Sequence, residues 1–371
     1  MPLSTSTVIL ERARREHYGI GAFNAANMEM VQAIVEAAEE ERAPVIVQIS
    51  QGTIKYAGLE FSSQLVKTAA ALASVPVVLH LDHGTSLQQN ILCLREGFTS
   101  LMYDGTETLL EAHRAATGGA ALSFETVREC IQSRAAFEEN LRVTKQVVEI
   151  AHHCHVPVEA ELGKIPRMGD FTGSWDELQT TLSDSFRESV KMLQADPDMA
   201  EEFVLRSGCD SLAVACGSIH GMKQEIVPLH LSLVEEIARR VHVPLVLHGS
   251  SGVLKTREGV GSRGISLKAD EGSLQEAISL GITKINVSTE LQVTFLRALY
   301  RTFEKNPSEA DLRKLFLPAK EALKNQVRSL IRFFGSSGKA DIGPGLGRVG
   351  PVKDTGGSPS RLGKRRIEHA E

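Results

Sequence analysis

Eight times along 371 residues a short, almost continuously apolar run is followed by a longer stretch of helical periodicity. The runs are Gly19–Ala25, Pro44–Ser50, Pro76–Asp82, Ser100–Asp104, Pro157–Leu162, Ser211–Gly217, Pro244–Gly249 and Ile282–Val287. They are rich in β-branched residues, as in VIVQIS and VPVVLHLD. A strand apolar on both faces needs cover on both, which is the condition of a parallel sheet flanked by helices. Several runs open on Pro, tolerated at a strand's first residue. An open sheet needs two more polar edge strands, whereas a closed ring has no edge. The pattern therefore predicts an α/β fold, a (β/α)8 TIM barrel, whose single-unit size range with insertions accommodates this length.

Beyond the eighth run, Thr289–Glu304 and Ala310–Phe334 carry apolar residues at helical spacing, separated by Asn306-Pro307. Both read as extra C-terminal helices. From Gly335 the composition turns to Gly, Pro, Ser and basic residues. Such a segment buries too little apolar surface to offset its chain entropy. The expected organisation is a barrel over residues 1–339 and a disordered tail over 340–371.

The charge balance narrows the possible partners. Lys and Arg total 41 against 46 Asp and Glu, a net charge of −5, so no polyanion-binding surface is indicated and nucleic acid is not expected. No run approaches the roughly 20 apolar residues that span a bilayer, so no membrane is expected either. The five cysteines include no C-x-x-C pair, which points away from a disulfide framework or a thiolate zinc site and toward a reducing, cytoplasmic setting.

Barrel chemistry sits at the C-terminal ends of the strands. Read in order, the run ends carry Asn24, Ser50, Asp82 with His83, Asp104, Glu161, Gly217 leading to His220, His248, and Asn286. One polar strand end is ordinarily a helix cap. Eight in one ring are not. His83, His220 and His248 are each followed by Gly, which allows close backbone approach. A neutral imidazole is the usual nitrogen ligand of zinc, and a catalytic zinc commonly takes three protein ligands and keeps a fourth position open. Asp82 beside them suits either proton transfer at a hydroxyl or orientation of a histidine. His80, two residues earlier on the same strand face, suits a supporting role. His152, His153 and His155 fall at a helix end, where the dipole and solvent account for them. Two segments suit phosphate: His248–Gly252, with its small residues, and Asn286–Thr289, at the start of a helix.

Taken in order, LDHG, FEEN, VEAELG, DSLAV with the G-S-x-H-G loop, LVLHGSSG and KINVSTEL resemble the class II fructose-bisphosphate and tagatose-bisphosphate aldolases. With GAFNAAN, APVIVQIS and QGTIKYAG the resemblance covers Leu3 to Lys339. It implies that His83, His220 and His248 hold a catalytic Zn2+ and that Asp82 is the acid and base on the C4 hydroxyl. Glu161 is similar to the strand-five glutamate near the metal, and is placed with Asp82 among the catalytic residues. Gly221, Gly249, Ser251, Asn286, Ser288 and Thr289 are implied as contacts of the dihydroxyacetone phosphate portion, and Asn24 and Ser50 as pocket lining. A monovalent cation, Na+ or K+, and a homo-oligomer, dimer or tetramer, are further implications.

The implied reaction is reversible cleavage of fructose 1,6-bisphosphate into dihydroxyacetone phosphate and glyceraldehyde 3-phosphate. Ser288 stands where fructose-type members often carry Asp or Asn and tagatose-type members a small residue, so tagatose 1,6-bisphosphate is the alternative substrate. The family's Gly-Gly-x-Glu-Asp loop has no clear counterpart in Gly163–Asp170; Asp170 or the later Asp176 is the candidate replacement, neither in the matching pattern. That loss, with the longer segments Thr106–Ala136, Ser185–Ala195 and Leu254–Gly272, motivates a third reading, a non-catalytic barrel that binds metal and sugar phosphate.

Overall fold

The computed structural model describes residues 3–119, 122–167, 183–260 and 265–341. Prolines mark where ladders begin. Pro76, Pro157 and Pro244 have no N–H, but their carbonyls accept from Val45, Leu101 and Leu212 at 3.0 Å each, so each starts a ladder without interrupting one. The barrel strands are β1 (Ile20–Asn24), β2 (Val45–Ser50), β3 (Val77–Asp82), β4 (Leu101–Tyr103), β5 (Val158–Leu162), β6 (Ser211–Val214), β7 (Leu245–Leu247) and β8 (Ile282–Val287). They lie in the order β3-β2-β1-β8-β7-β6-β5-β4, and every pairing is parallel. A bridge between His80 and Ser100 joins β3 to β4, with Leu81 N–H donating to Ser100 O at 3.1 Å. The ring is the expected (β/α)8 barrel.

Two strands stop short of their apolar runs. Past β6 the Ala215 carbonyl is taken by Ala195 N–H at 3.0 Å, and Gly217 turns the chain at φ 110°. Past β7 the turn comes at Gly249, φ 65°. Both glycines occupy backbone conformations that side-chain-bearing residues rarely adopt. A two-stranded antiparallel ribbon of Leu229–His230 with Glu271–Gly272, not expected from the sequence, lies outside the barrel.

Alternate strand residues point inward. The helix Ser6–Glu16 sets Ile9, Leu10 and Ala13 against Tyr18, Ile20, Ala22, Ile46 and Val78, an apolar plug at the starts of β1 to β3. The described parts of the long segments are built structure. Residues 106–136 contain helices Gly105–Ala116 and Phe124–Gln132, whose Leu110, Val127 and Ile131 pack with Leu122 and Leu193. Residues 185–195 continue the helix Asp184–Lys191, and the Gln132 side chain donates to Met192 O at 2.8 Å. In 254–272, a 3-10 turn covers Arg257–Gly259, and residues 261–264 lie outside the described residues.

The C-terminal helices are Thr289–Lys305 and Leu312–Phe334. The second is bound to the helix Met28–Glu40 and its cap by Lys320–Glu36 (2.6 Å), Arg328–Glu40 (2.7 Å) and Arg332–Glu41 (2.7 Å). The hydrogen bond from Arg332, aided by Arg328 and Ser337, outweighs burial and holds the Glu41 carboxyl down at about 2. A depressed folded pKa contributes stability above the unfolded value near 4.5, and that contribution disappears as pH falls through about 2. Glu41→Gln is expected to lower stability at pH 7 by about 2 kcal/mol. In chemical denaturation the difference from wild type should narrow steadily between pH 5 and pH 2, and an unchanged difference over that range would refute the assignment.

Beyond this helix, Gly338 N–H and Ala340 N–H donate to Glu41 O and Arg42 O at 2.8 and 2.9 Å. The remainder of the expected tail, 342–371, lies outside the described residues. Among the described residues no helix is long and apolar enough to cross a membrane.

Candidate active site

At the C-terminal mouth of the barrel a cavity of about 490 Å³ is lined by Asn24, Ser50, Asp82, His83, His220, Gly221, His248, Gly249, Ser251, Asn286, Ser288 and Thr289. Twelve of the thirteen singled-out positions thus share one wall. Glu161, the thirteenth, is fully buried behind His83, its Oε2 3.9 Å from His83 Nδ1. Asp170 and Asp176 lie outside the described residues. The His152 cluster is remote from this mouth: His152 Nε2 pairs with Asp210 at 2.8 Å on the surface.

Backbone conformation brings the three imidazoles together. His83 leaves β3 in the left-handed region, φ 54°. A Cβ on Gly84 would lie 2.6 Å from Met102 O, so only glycine lets β4 approach there. A Cβ on Gly249 would lie 2.9 Å from the Ile219 carbonyl carbon, so this glycine admits the loop that carries His220. Ring centroids are then 4.6 Å apart for His83 and His248, 5.3 Å for His83 and His220, and 6.0 Å for His220 and His248. One ring nitrogen from each lies within 4.8 Å of the others.

Hydrogen bonds fix which nitrogens are free. His83 Nδ1 donates to Asp104 Oδ2 at 2.7 Å, and His248 Nε2 donates to Glu159 Oε1 at 2.8 Å. Ionised carboxylates only accept, so the protons belong to those nitrogens. The other nitrogens, His83 Nε2 and His248 Nδ1, face each other at 2.9 Å. Two lone pairs at that distance need a positive centre between them, either a proton or a cation. His220 Nε2 is buried and has no hydrogen-bond partner among the described residues. Burial, joined by the charges of His83 and Arg167, holds the His220 pKa well below the ordinary value, and burial with His83 lowers that of His248. Burial opposes charge on His83 as well, but Asp82 and Asp104 raise its pKa, so the free protein can keep the bridging proton there. A divalent cation that displaced it would meet three nitrogen donors, the set that zinc takes.

Beside them Asp82 accepts from Asn24 Nδ2 at 2.7 Å and from Asn286 Nδ2 at 3.3 Å, while Gln48 Nε2 holds Asn24 Oδ1 at 3.0 Å. Burial resists its charge, yet His83, His248, the Asn24 hydrogen bond and Lys284 lower its pKa. It is an ionised base in the pocket wall. Glu161 is the reverse case. Burial and the neighbouring Asp104 push its pKa up to about 8, and among the described residues its Oε2 has no hydrogen-bond partner. Thr106 Oγ1 donates to Asp104 Oδ1 at 2.9 Å and lies 3.2 Å from Glu161 Oε1.

The opposite chemistry lines the side of β7 and β8. Ser250 Oγ donates to Asn286 O at 2.6 Å and Glu290 N–H donates to Ser251 Oγ at 3.1 Å, so the two small-residue loops are tied together where the helix Thr289–Lys305 begins. The positive end of a helix dipole beside small residues suits an anionic group. Lys55 and Arg167 add cationic side chains to the same cavity. Reading the strand ends missed these two, and also Asp104 as the partner of His83, and Glu159 with Lys284 beneath His248. Glu159 and Lys284 were visible as ionisable residues inside otherwise apolar strands.

A family model described as fructose-bisphosphate aldolase class II matches residues 4–339. A fructose-bisphosphate aldolase of Thermus caldophilus is 40% identical over 346 residues, 91% of this chain and 100% of that protein. A D-tagatose-1,6-bisphosphate aldolase subunit of Klebsiella oxytoca is 34% identical, over 91% of this chain and all of that one. Among solved structures, the YdjI aldolase from Escherichia coli K12 superposes with a TM-score of 0.64 at 32% identity, covering 91% of this chain and 100% of that chain. A match over nearly the whole barrel, together with this ring of polar strand ends, places the chain in the class II fructose-bisphosphate aldolase family.

Proposed function

We propose that this chain is a zinc-dependent aldolase that reversibly splits fructose 1,6-bisphosphate into dihydroxyacetone phosphate and glyceraldehyde 3-phosphate. The observation that carries the reading is three imidazoles at the barrel mouth, one ring nitrogen of each within 4.8 Å of the others, beside an ionised Asp82. His83, His220 and His248 would hold the metal, which when bound supplies a Lewis acid for the ketose carbonyl. Asp82 takes the C4 hydroxyl proton as the C3–C4 bond breaks; the bond's electron pair passes to the C3 side, leaving an enediolate, and C4 becomes the aldehyde carbon. Asn24 and Asn286 orient Asp82 for that transfer. Glu161 orders the His83–Asp104 pair from behind and has a proton to release.

Substrate ends are held by different means. Gly221, Gly249, Ser251, Ser288 and Thr289 surround the phosphate of the dihydroxyacetone portion, with a monovalent cation, Na+ or K+, beside it. Lys55 and Arg167 meet the second phosphate, and Ser50 lines the wall. Ser288, small and pocket-lining, together with the tagatose-type relative, favours tagatose 1,6-bisphosphate as a second substrate reading. A homo-oligomer, dimer or tetramer, in the cytoplasm completes the proposal; Leu296, Tyr300 and Phe303, exposed along one helix, are what such a contact covers.

A coupled assay tests this. Fructose 1,6-bisphosphate should be cleaved, with the rate falling at least about a hundredfold after chelation and returning with zinc. Turnover that survives complete metal removal defeats the mechanism. Faster cleavage of the tagatose epimer reassigns the substrate, and zinc binding without any turnover leaves the non-catalytic barrel.

A further inference from the structure

We propose that Lys284 is a positioning residue of the metal centre, acting through Glu159 to aim His248. The inference rests on the metal reading above and concerns residues that never reach the cavity. Lys284 on β8 and Glu159 on β5 point into the barrel one layer below the site and are 0% and 2% exposed. Lys284 Nζ lies 2.8 Å from Glu159 Oε2, and the carboxylate's other oxygen receives the proton of His248 Nε2 at 2.8 Å. The ammonium is itself located from below. It lies 3.4 Å from His80 Nε2, and His80 Nδ1 is 2.8 Å from Ser100 Oγ, which meets Ser6 Oγ at 2.9 Å. A chain of polar contacts thus runs from the helix that plugs the barrel floor to an imidazole at its mouth.

This pair is poorly explained as a device for stability. A buried ion pair replaced by apolar groups of similar volume is often neutral or stabilising. What apolar residues could not do is accept the proton of His248 Nε2 and so leave Nδ1, 3.4 Å from Asn286 Nδ2, as the unprotonated nitrogen facing His83 Nε2. Glu159 does that only while its other oxygen is held, and Lys284 is the group that holds it. Without the ammonium, the carboxylate keeps only His248 within hydrogen-bond distance, His80 Nε2 lying 3.9 Å from its other oxygen, and can rotate away, so His248 is no longer aimed.

The test is a zinc titration of the full chain against a chromophoric chelator, with Lys284→Met, Glu159→Gln and the double variant, each checked for folding by its melting curve. Each single variant should bind zinc about 10 to 100-fold more weakly than wild type. The double should be no weaker than the weaker single, because the two residues act as one unit. Should Lys284→Met fail to fold with its carboxylate stranded, the double variant, which buries no charge at either position, decides alone: it too should lose at least about tenfold. A folded variant lacking Lys284 that binds zinc within about twofold of wild type overturns the proposal, as do single effects that multiply in the double. No substrate enters this titration. Wild type that binds zinc but turns nothing over defeats the functional reading alone, and full turnover with unchanged zinc binding in the Lys284 variants defeats this one alone.

Discussion

A His220→Ala variant is expected to purify as a folded protein with little or no zinc and to cleave fructose 1,6-bisphosphate at least about a thousandfold more slowly than wild type. The three imidazoles are not equivalent in the free protein. His83 and His248 are each held by a carboxylate, Asp104 and Glu159, and face each other, whereas the buried Nε2 of His220 has no hydrogen-bond partner among the described residues. Deleting that nitrogen breaks no hydrogen bond it makes, so the metal-free melting temperature should shift by only a few degrees, as expected for a loss of about 1 kcal/mol. It nevertheless leaves two donors where a closely held zinc needs three. Metal analysis of the purified variant, with turnover measured at saturating zinc, separates the two effects. Stoichiometric zinc and wild-type turnover in His220→Ala would remove the basis of the metal assignment.

The reason this site could be located before the fold was known lies in barrel geometry. Parallel strands bring every C-terminal strand end to one mouth, so Asn24, Asp82 and Asn286, hundreds of residues apart at the extremes, needed no pairing information to be placed together. The terminal glycines added the rest, since Gly84 and Gly249 stand where a Cβ would strike a neighbouring backbone. What stayed hidden is equally specific. Glu159 and Lys284 sit mid-strand, where apolar neighbours read simply as core; which lysine meets which glutamate depends on β5 and β8 facing each other across the barrel, a property of ring closure that no local window contains.

The long segments were hard to interpret for another reason. Nothing in Thr106–Ala136 or Ser185–Ala195 alone announces a partner, because Leu110, Val127 and Ile131 find one in the distant Leu193, and Gln132 finds a carbonyl at Met192. Together they grip the exit of β5. Lys164 N–H donates to Leu193 O at 2.8 Å, Lys164 pairs with Glu107, and Pro166 O accepts from His220 N–H at 2.9 Å. A Cβ on Gly163, at φ 74°, would lie 2.7 Å from the backbone of Leu193 and Ala195. The segments therefore serve to fix the start of the loop after β5 and, through Pro166, the loop that presents His220.

Asp82→Asn is expected to lower kcat by about 10² to 10⁴-fold while leaving zinc content and KM within a few-fold of wild type. The shape is conserved, and the amide oxygen still accepts from one of the two asparagines that hold the carboxylate. The other donor, Asn24 or Asn286, then meets an NH2 group, a local loss of about 1 kcal/mol that does not threaten the barrel. The charge and the basic lone pair are what disappear. In wild type, His83 and His248 keep the Asp82 pKa below the ordinary carboxylate value in spite of its burial, so the base is already ionised at neutral pH. Its protonation should not produce an acid limb in the rate near neutrality; any such limb in wild type belongs to another group and should persist in the variant. Steady-state kinetics with zinc supplied in excess decide the point, because they separate loss of proton transfer from loss of metal. A kcat within tenfold of wild type would mean that the C4 proton leaves by another route, and Asp82 would then be a group that orients His83 without touching the substrate.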